Sequence, residues 1–161
     1  MRPGHAALRV NTSWTVRVER LEIRLPVGIH ADELEPQPLW VSLAATGAAP
    51  ASPQVLHHCF DYEPLCRWLT HDWPGTPHTP LLETRINQLC AYLFGLDERL
   101  QTVWVGLYKQ RMSRQALAVG VERQMTRLEF EAMQDLACAA AAMRATDAPA
   151  SGKGNHASVH G

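Results

Sequence analysis

The segment GIHADELEPQ, residues 28–37, joins two runs in which apolar and polar residues alternate. Such alternation predicts half-buried β-strands, so this segment is predicted to be the loop of an antiparallel pair. Gly28 permits a sharp turn because glycine adopts backbone angles that other residues avoid. The loop also carries Glu33, five residues after Gly28 and four before Gln37. Glu33 is either a functional acid or a solvent-exposed loop carboxylate, and the sequence leaves both interpretations open.

Strands are predicted on both sides of this loop. The first is predicted to begin at Trp14, and its apolar positions change parity at Glu19-Arg20, which indicates a β-bulge. The second is predicted to pair antiparallel with the first, and its apolar positions are Leu39, Val41 and Leu43.

Two helices are predicted in the middle of the chain. Residues 46–57 have a loop composition, and Asp61 is placed to cap a helix from about Tyr62. The prolines and glycine between residues 71 and 80 are predicted to end that helix. A second helix is predicted over residues 81–94.

Gly95 follows this second helix and is predicted to end it in a left-handed cap. Its apolar stripe is formed by Leu82, Ile86, Leu89, Cys90 and Leu93.

Two more strands complete the predicted fold. Their apolar positions are Val103, Val105 and Leu107, then Leu117, Val119 and Val121. The order β-β-α-α-β-β predicts an α+β fold with a four-stranded antiparallel sheet and two helices on one face. We expect a core domain over residues 14–127, an extra C-terminal helix over 128–144, a flexible arm over 1–13 and a disordered tail over 145–161.

Composition limits the classes of function. The net charge of −1 provides no general attraction for nucleic acid. No apolar window approaches the ~18 residues of a membrane span and no signal peptide is evident, so we expect a soluble, cytoplasmic protein without a membrane partner. The four cysteines form no CxxC pair and the histidines no ligand spacing, so no metal site is predicted. Cys66 and Cys90 are predicted to pack as small apolar residues.

Four other residues are candidate site groups, and each also has a purely structural interpretation. Lys109 follows the third strand and either transfers protons or extends to solvent. Glu83 either complements a helix dipole or accepts paired N–H donors from a heterocycle, with Leu82 as part of an apolar rim. Tyr62 is either a core aromatic or a ring that stacks on a planar ligand.

Taken together, these positions resemble the dihydroneopterin aldolase family. The resemblance rests on the loop with Glu33 and Gln37, on Asp61-Tyr62, on Leu81-Leu82-Glu83, on Lys109 after a strand, and on Ala118-Val119-Gly120-Val121 before Arg123. No one motif is specific, but five occur in order over about residues 14–127. This chain departs from the family where Gln110, rather than proline, follows Lys109.

The resemblance implies a tunnelling fold (T-fold), in which sheets from several subunits join edge to edge. It implies a homo-oligomer, tetrameric or octameric, with a pterin site between subunits. There Tyr62 would stack on the pterin, Glu83 would hold its amino-pyrimidine edge, and Glu33 and Lys109 would flank the reacting side chain. The implied reaction is retro-aldol cleavage of 7,8-dihydroneopterin in folate synthesis, without cofactor, metal or Schiff base.

Two alternatives stay open at this stage. One is epimerisation of dihydroneopterin or its triphosphate at C2′, for which Arg111 and Arg114 are available as cations. The other is a non-catalytic pterin-binding oligomer that has kept the fold.

Overall fold

The four predicted strands form one antiparallel sheet in a computed structural model, which describes residues 11–110 and 114–146. The strands lie in the order of the chain and are β1 (Asn11–Leu25), β2 (Gln37–Pro50), β3 (Leu100–Gln110) and β4 (Ala118–Thr126). The α-helices of the described residues are α1 (Glu63–Arg67), α2 (Leu82–Leu96) and α3 (Arg127–Thr146). The predicted α+β class, sheet and extra C-terminal helix are confirmed.

Strand β1 contains the predicted bulge. Val18 pairs with Leu43 and Leu21 pairs with Val41, so β1 has one residue more than β2 between these two pairs. Arg20 takes up the irregularity with a φ of 50°, and its N–H donates to Ser42 Oγ at 3.0 Å. The change of parity keeps the apolar residues on both sides of the bulge facing the core.

Both strands of the first hairpin are longer than predicted. Strand β1 begins at Asn11, three residues before Trp14, and β2 continues to Pro50 through part of the predicted 46–57 loop. Thr15 and Thr46 are paired across the strands, and their hydroxyls are 2.8 Å apart. The small residues of this segment resemble a loop in composition, but pairing with β1 outweighs their weak strand preference.

The core lies between one face of the sheet and helices α1 and α2. On β2 the buried positions alternate, with Leu39 and Val41 fully buried and Leu43 1% exposed. On β3 the alternate residues Val103, Val105 and Leu107 are fully buried. Helix α2 packs against them with Ile86, Leu89, Cys90, Leu93 and Phe94. Burial confirms the apolar role of Cys90, and desolvation raises the pKa of its thiol to about 11.

The first helix continues further than predicted. After α1 the chain forms a π-helical turn at Trp68–Asp72 and a 3-10 turn at Trp73–Gly75. Trp73 is fully buried, stacks on Trp68 with ring centroids 5.0 Å apart, and donates from Nε1 to Gln88 Oε1 at 3.2 Å. Pro74 is tolerated because it lies in the first turn of the 3-10 segment, where no N–H donor is needed. Asp61 has its predicted capping contact, since Oδ1 accepts from Glu63 N–H at 3.0 Å.

Helix α2 also passes its predicted end. Gly95 lies inside the helix, and among the described residues only Gly28 is a glycine with positive φ, so the predicted left-handed cap is wrong. The helix ends at Leu96, and the next residue, Asp97, accepts on Oδ1 from the N–H of Arg99 at 2.9 Å. That side-chain turn, rather than the glycine, redirects the chain.

The last two elements begin within one residue of their predicted starts. Leu117 precedes β4 and is 74% exposed, whereas Met125, near the other end of the strand, is 1% exposed and belongs to the core. Helix α3 begins at Arg127, one residue before the predicted start. Of the described residues, those through Phe130 form one unit and those from Glu131 onward form another.

We expect Gly95→Ala to raise the free energy of unfolding by up to about 1 kcal/mol, since alanine is the better helix former. An added Cβ at Gly95 meets no atom within 4 Å, so packing does not oppose the change. Urea denaturation of the two proteins measures it. A loss of stability would show that this position needs the left-handed conformation.

Candidate active site

The loop after β1 is shaped by the contact between Gly28 and Glu33. Gly28 has a φ of +143°, which L side chains rarely adopt, and a Cβ there would overlap the Glu33 carboxylate. Glu33 ends a 3-10 turn, Ala31–Glu33, whose N-cap residue is His30. The glycine therefore permits the turn and also leaves the space that the carboxylate occupies.

Glu33 and Lys109 form a buried ion pair. Lys109 lies on β3 opposite Leu39, at the next inward position after Leu107, so strand alternation directs it to the helix-covered face. Its Nζ donates to Glu33 Oε1 across 76 positions of sequence. Glu33 is 6% exposed and Lys109 is 8% exposed. The structure thus brings together the two predicted catalytic groups.

The surroundings keep the Glu33 carboxyl ionised. The hydrogen bond from Lys109 is the largest cause, followed by the backbone N–H of His30, which donates to Oε2 at 3.0 Å. Together they outweigh the desolvation and lower the pKa of Glu33 from 4.5 to about 2. At neutral pH the group is a carboxylate that can accept a hydrogen bond from a substrate hydroxyl.

The loop is held by the segment that leads into α2. Gly28 N–H donates to Thr79 O at 3.1 Å, and Thr79 N–H donates to Pro26 O at 3.3 Å. His78 Nε2 lies 2.9 Å from Gly28 O. Gln37, part of the sequence pattern, donates from Nε2 to Val27 O. The loop is therefore fixed on both sides of Glu33.

Glu83 and Leu82 lie in the first turn of α2, soon after the segment that contacts Gly28. Glu83 is exposed and Leu82 is half-buried against the core. A carboxylate in an apolar setting can receive two parallel N–H donors from a planar heterocycle. Chain connectivity through Thr79 associates these residues with the Glu33 loop rather than with the far end of the sheet.

Tyr62 lies at that far end. It is 59% exposed and lines a cavity of about 170 Å³ together with Trp14, Gly47 and Leu100. Leu100 is the first residue of β3, and Lys109 lies near its other end. At the strand rise of ~3.3 Å per residue, the two residues are about 30 Å apart. A single chain therefore does not bring Tyr62 to the Glu33–Lys109 pair.

Sequence reasoning missed Arg85, which is fully buried beside the site. Its donors reach two backbone carbonyls, a hydroxyl and an amide oxygen. The signal was present, because Arg85 occupies the apolar stripe of α2 three residues after Leu82 and four before Leu89. A charged residue on an inward stripe indicates a buried polar network.

Other features considered from the sequence are a cationic group for a triphosphate, a metal site and a membrane span. Arg111 lies outside the described residues, and Arg114 is exposed. No cluster of His, Cys, Asp and Glu within residues 11–110 and 114–146 has the arrangement of a metal site. In the same ranges, no helix has the length and apolarity that crossing a membrane requires.

Three solved structures share this fold. The chain has a TM-score of 0.59 and 20% identity with FolB of Vibrio cholerae, assigned as a dihydroneopterin aldolase, covering 70% of this chain and 97% of that one. With Escherichia coli dihydroneopterin aldolase in complex with neopterin, the chain has a TM-score of 0.58 and 17% identity, and the match covers 69% of this chain and 97% of that one. With a Burkholderia dihydroneopterin aldolase bound to guanine, the TM-score is 0.56 and the identity 17%, and the match covers 71% of this chain and 92% of that one.

No protein-family model matches the chain, and no curated protein sequence matches it either. The resemblance to dihydroneopterin aldolases is thus confirmed in three dimensions, and it is a likeness of fold. The chain has the T-fold of these enzymes and spans nearly the full length of each neighbour.

We expect the Glu33 carboxylate to stabilise the protein at neutral pH and to lose that effect in acid. Because its folded-state pKa is depressed, the contribution is complete above pH 4.5 and is lost as the pH falls toward about 2. Unfolding free energies of wild type and Glu33→Gln, measured from neutral to acid pH, should therefore converge in this window. Glu35→Gln, an exposed neighbour, controls for the loss of one loop charge. A constant difference between wild type and Glu33→Gln would contradict the assignment.

Proposed function

We propose that this protein is an enzyme that cleaves 7,8-dihydroneopterin by a retro-aldol reaction to 6-hydroxymethyl-7,8-dihydropterin and glycolaldehyde. The observation that carries the proposal is the buried Glu33–Lys109 ion pair on a fold shared with dihydroneopterin aldolases. Perturbed titratable pairs of this kind concentrate at functional sites. The retention of both groups favours catalysis over simple pterin binding.

The chemistry needs a proton acceptor and an electron sink. The C2′ hydroxyl loses its proton, the C1′–C2′ bond breaks to release the aldehyde, and the bonding electrons enter the imine of the dihydropterin ring. A proton then adds at C1′ to give the hydroxymethyl product. In this scheme Lys109 moves the protons or orders a water that does so, and Glu33 accepts hydrogen bonds from the side-chain hydroxyls. The substrate's own ring supplies the electron sink.

Recognition of the ring is assigned to the start of α2. Two of the structural neighbours hold neopterin and guanine, and both molecules present an amino-pyrimidinone edge with adjacent N–H donors. A carboxylate is the natural acceptor for such an edge, and exposed Glu83 supplies one beside half-buried Leu82. Glu83 would therefore hold the pterin while the Glu33–Lys109 pair faces its side chain.

Tyr62 would be contributed by a neighbouring protomer. Leu100, which lines the same cavity as Tyr62, is about 30 Å from Lys109 along β3, so Tyr62 and Lys109 do not share a ligand within one chain. An edge-to-edge homo-oligomer, tetrameric or octameric, supplies Tyr62 from the adjacent copy as a stacking surface for the pterin. The exposed side chains of Ile29 and Leu34, 72% and 56% exposed, are apolar groups that such an interface would cover.

Incubation of the purified protein with 7,8-dihydroneopterin, followed by chromatography of the products, tests the proposal. We expect glycolaldehyde and 6-hydroxymethyl-7,8-dihydropterin in equal amounts. A C2′ isomer alone would indicate the epimerase, and unchanged substrate that binds would indicate a silent pterin-binding module. Either result would overturn the proposed function.

Two substitutions should separate chemistry from binding. Lys109→Ala removes a group needed in the transition state, so we expect kcat to fall by roughly 10²-fold or more while pterin affinity changes little. Glu83→Ala removes the ring acceptor, so we expect affinity to be lost first. Ligand titration and steady-state kinetics on both variants measure this, with Glu63→Ala, an exposed acid in the first turn of α1, as the control for Glu83. Equal losses of affinity in the Lys109 and Glu83 variants would refute this division of roles.

A further inference from the structure

Arg85 is a charged side chain inside the core whose bonds all go to neutral groups. It is 0% exposed, and burial lowers the pKa of its guanidinium. Nη2 donates to Pro26 O at 2.9 Å and to Pro77 O at 2.8 Å. Nη1 donates to Thr76 Oγ1 at 2.6 Å and to Gln88 Oε1 at 3.1 Å. Among the described residues, none of its hydrogen-bond acceptors is a carboxylate.

These bonds join two segments that meet beside the site, residues 26–28 after β1 and residues 76–79 before α2. Val27 forms a parallel bridge with Thr79, and the Gly28 and Thr79 amides extend this short pairing. Because Pro26 and Pro77 have no N–H donors, the two segments have fewer backbone donors than carbonyl acceptors, and hydrogen bonds between them cannot pair every carbonyl. One guanidinium bonds to a carbonyl of each segment and thereby holds the two together.

The segment that Arg85 holds is the surface on which Glu33 rests. Gly28 lies so close to the Glu33 carboxylate that a Cβ would overlap it, and Gly28 is two residues from the Pro26 carbonyl that Arg85 binds. A shift of residues 26–28 would therefore move or release the carboxylate that bonds Lys109. Core side chains transmit such shifts because protein interiors are close-packed.

We propose that Arg85 is a positioning residue, which fixes Glu33 against Lys109 by joining the carbonyls of Pro26 and Pro77. A guanidinium suits this role because its donors lie in one rigid plane and reach acceptors on separate segments. A hydrophobic residue would fill the same core space but would remove this donor from the Pro77 carbonyl and leave the Pro26 carbonyl with the Thr79 amide alone. The effect on catalysis rests on the proposed function, whereas the effect on Glu33 does not.

The direct test is the acid titration of Glu33 in Arg85→Met. The ¹³C resonance of the Glu33 carboxyl, assigned with Glu33→Gln, is followed from about pH 7 to about pH 1, which includes the wild-type midpoint. We expect its midpoint to rise from the wild-type value toward 4.5 as the bond from Lys109 loosens. Gly28→Ala, which forces the carboxylate away directly, should raise the midpoint as well.

Arg127→Met is the matched control. Arg127 likewise donates to backbone carbonyls, of Leu100 at 2.7 Å and Asp97 at 2.7 Å, but at the opposite end of β3. It should lower stability without moving the Glu33 midpoint. A folded Arg85→Met with the wild-type midpoint, or an equal rise in Arg127→Met, would overturn the proposal.

Two further measurements keep the test decisive. If Arg85→Met does not fold, Arg85→Gln replaces it; glutamine keeps N–H donors but its side chain ends short of the position of Nη2 and cannot reach both carbonyls, and a wild-type Glu33 midpoint in that folded variant would refute the role. In the pterin assay we expect Arg85→Met to lower kcat by roughly tenfold while KM changes less than threefold. An inactive wild-type protein would refute the proposed function, but the titration would still test Arg85.

Discussion

The site depends on the ion pair of Glu33 and Lys109, which places two charges where water hardly reaches. Removing each charge from water costs several kcal/mol, and the cost is recovered only when every bond is well made. Here the carboxylate receives Lys109 Nζ on one oxygen and the His30 amide on the other. The pair needs strand parity to turn Lys109 inward, and it needs a glycine at position 28 to leave room for Glu33. Because buried ion pairs contribute little to stability, the presence of one at the rim of this core supports the proposed catalytic role.

Much of this arrangement could be predicted from the sequence, because its signals are local. Alternation of period two predicts all four strands, and the change of parity at Glu19-Arg20 predicts the bulge that the structure has between Val18 and Leu21. The association of Glu33 with Lys109, 76 residues apart, came from family resemblance, since no local pattern specifies such a contact. Features that depend on a distant partner were missed. Pro50 joins β2 only because β1 lies beside it, and Trp73 extends the first helix only because the core receives its ring. The sequence did not predict the role of Arg85, because two of its acceptors are backbone oxygens, which no residue pattern reveals.

The candidate groups are divided between the two ends of the sheet. Glu33 and Lys109 lie at one end with the start of α2, and Tyr62 lies with Leu100 at the other. Such a division makes little sense for an isolated chain, because a ligand at one end would never meet the aromatic ring at the other. It is the arrangement expected when the complete site forms between copies, which is the basis of the proposed assembly. On this view catalysis and association would be coupled, since a protomer separated from its neighbours would keep its acid–base pair but lose the stacking surface.

The strands at the two edges of the sheet differ in length, and this difference has a consequence for any ring that the chain forms. Strand β1 has fifteen residues and β4 has nine, so edge-to-edge joining would leave a stretch of β1 projecting past its neighbour. The projecting part would still be paired on its inner side, since β2 reaches Pro50 opposite Asn11. Each protomer would thus add a two-stranded ribbon to one rim of the ring. The two openings of the ring would then differ, because projecting pairs of strands would surround only one of them.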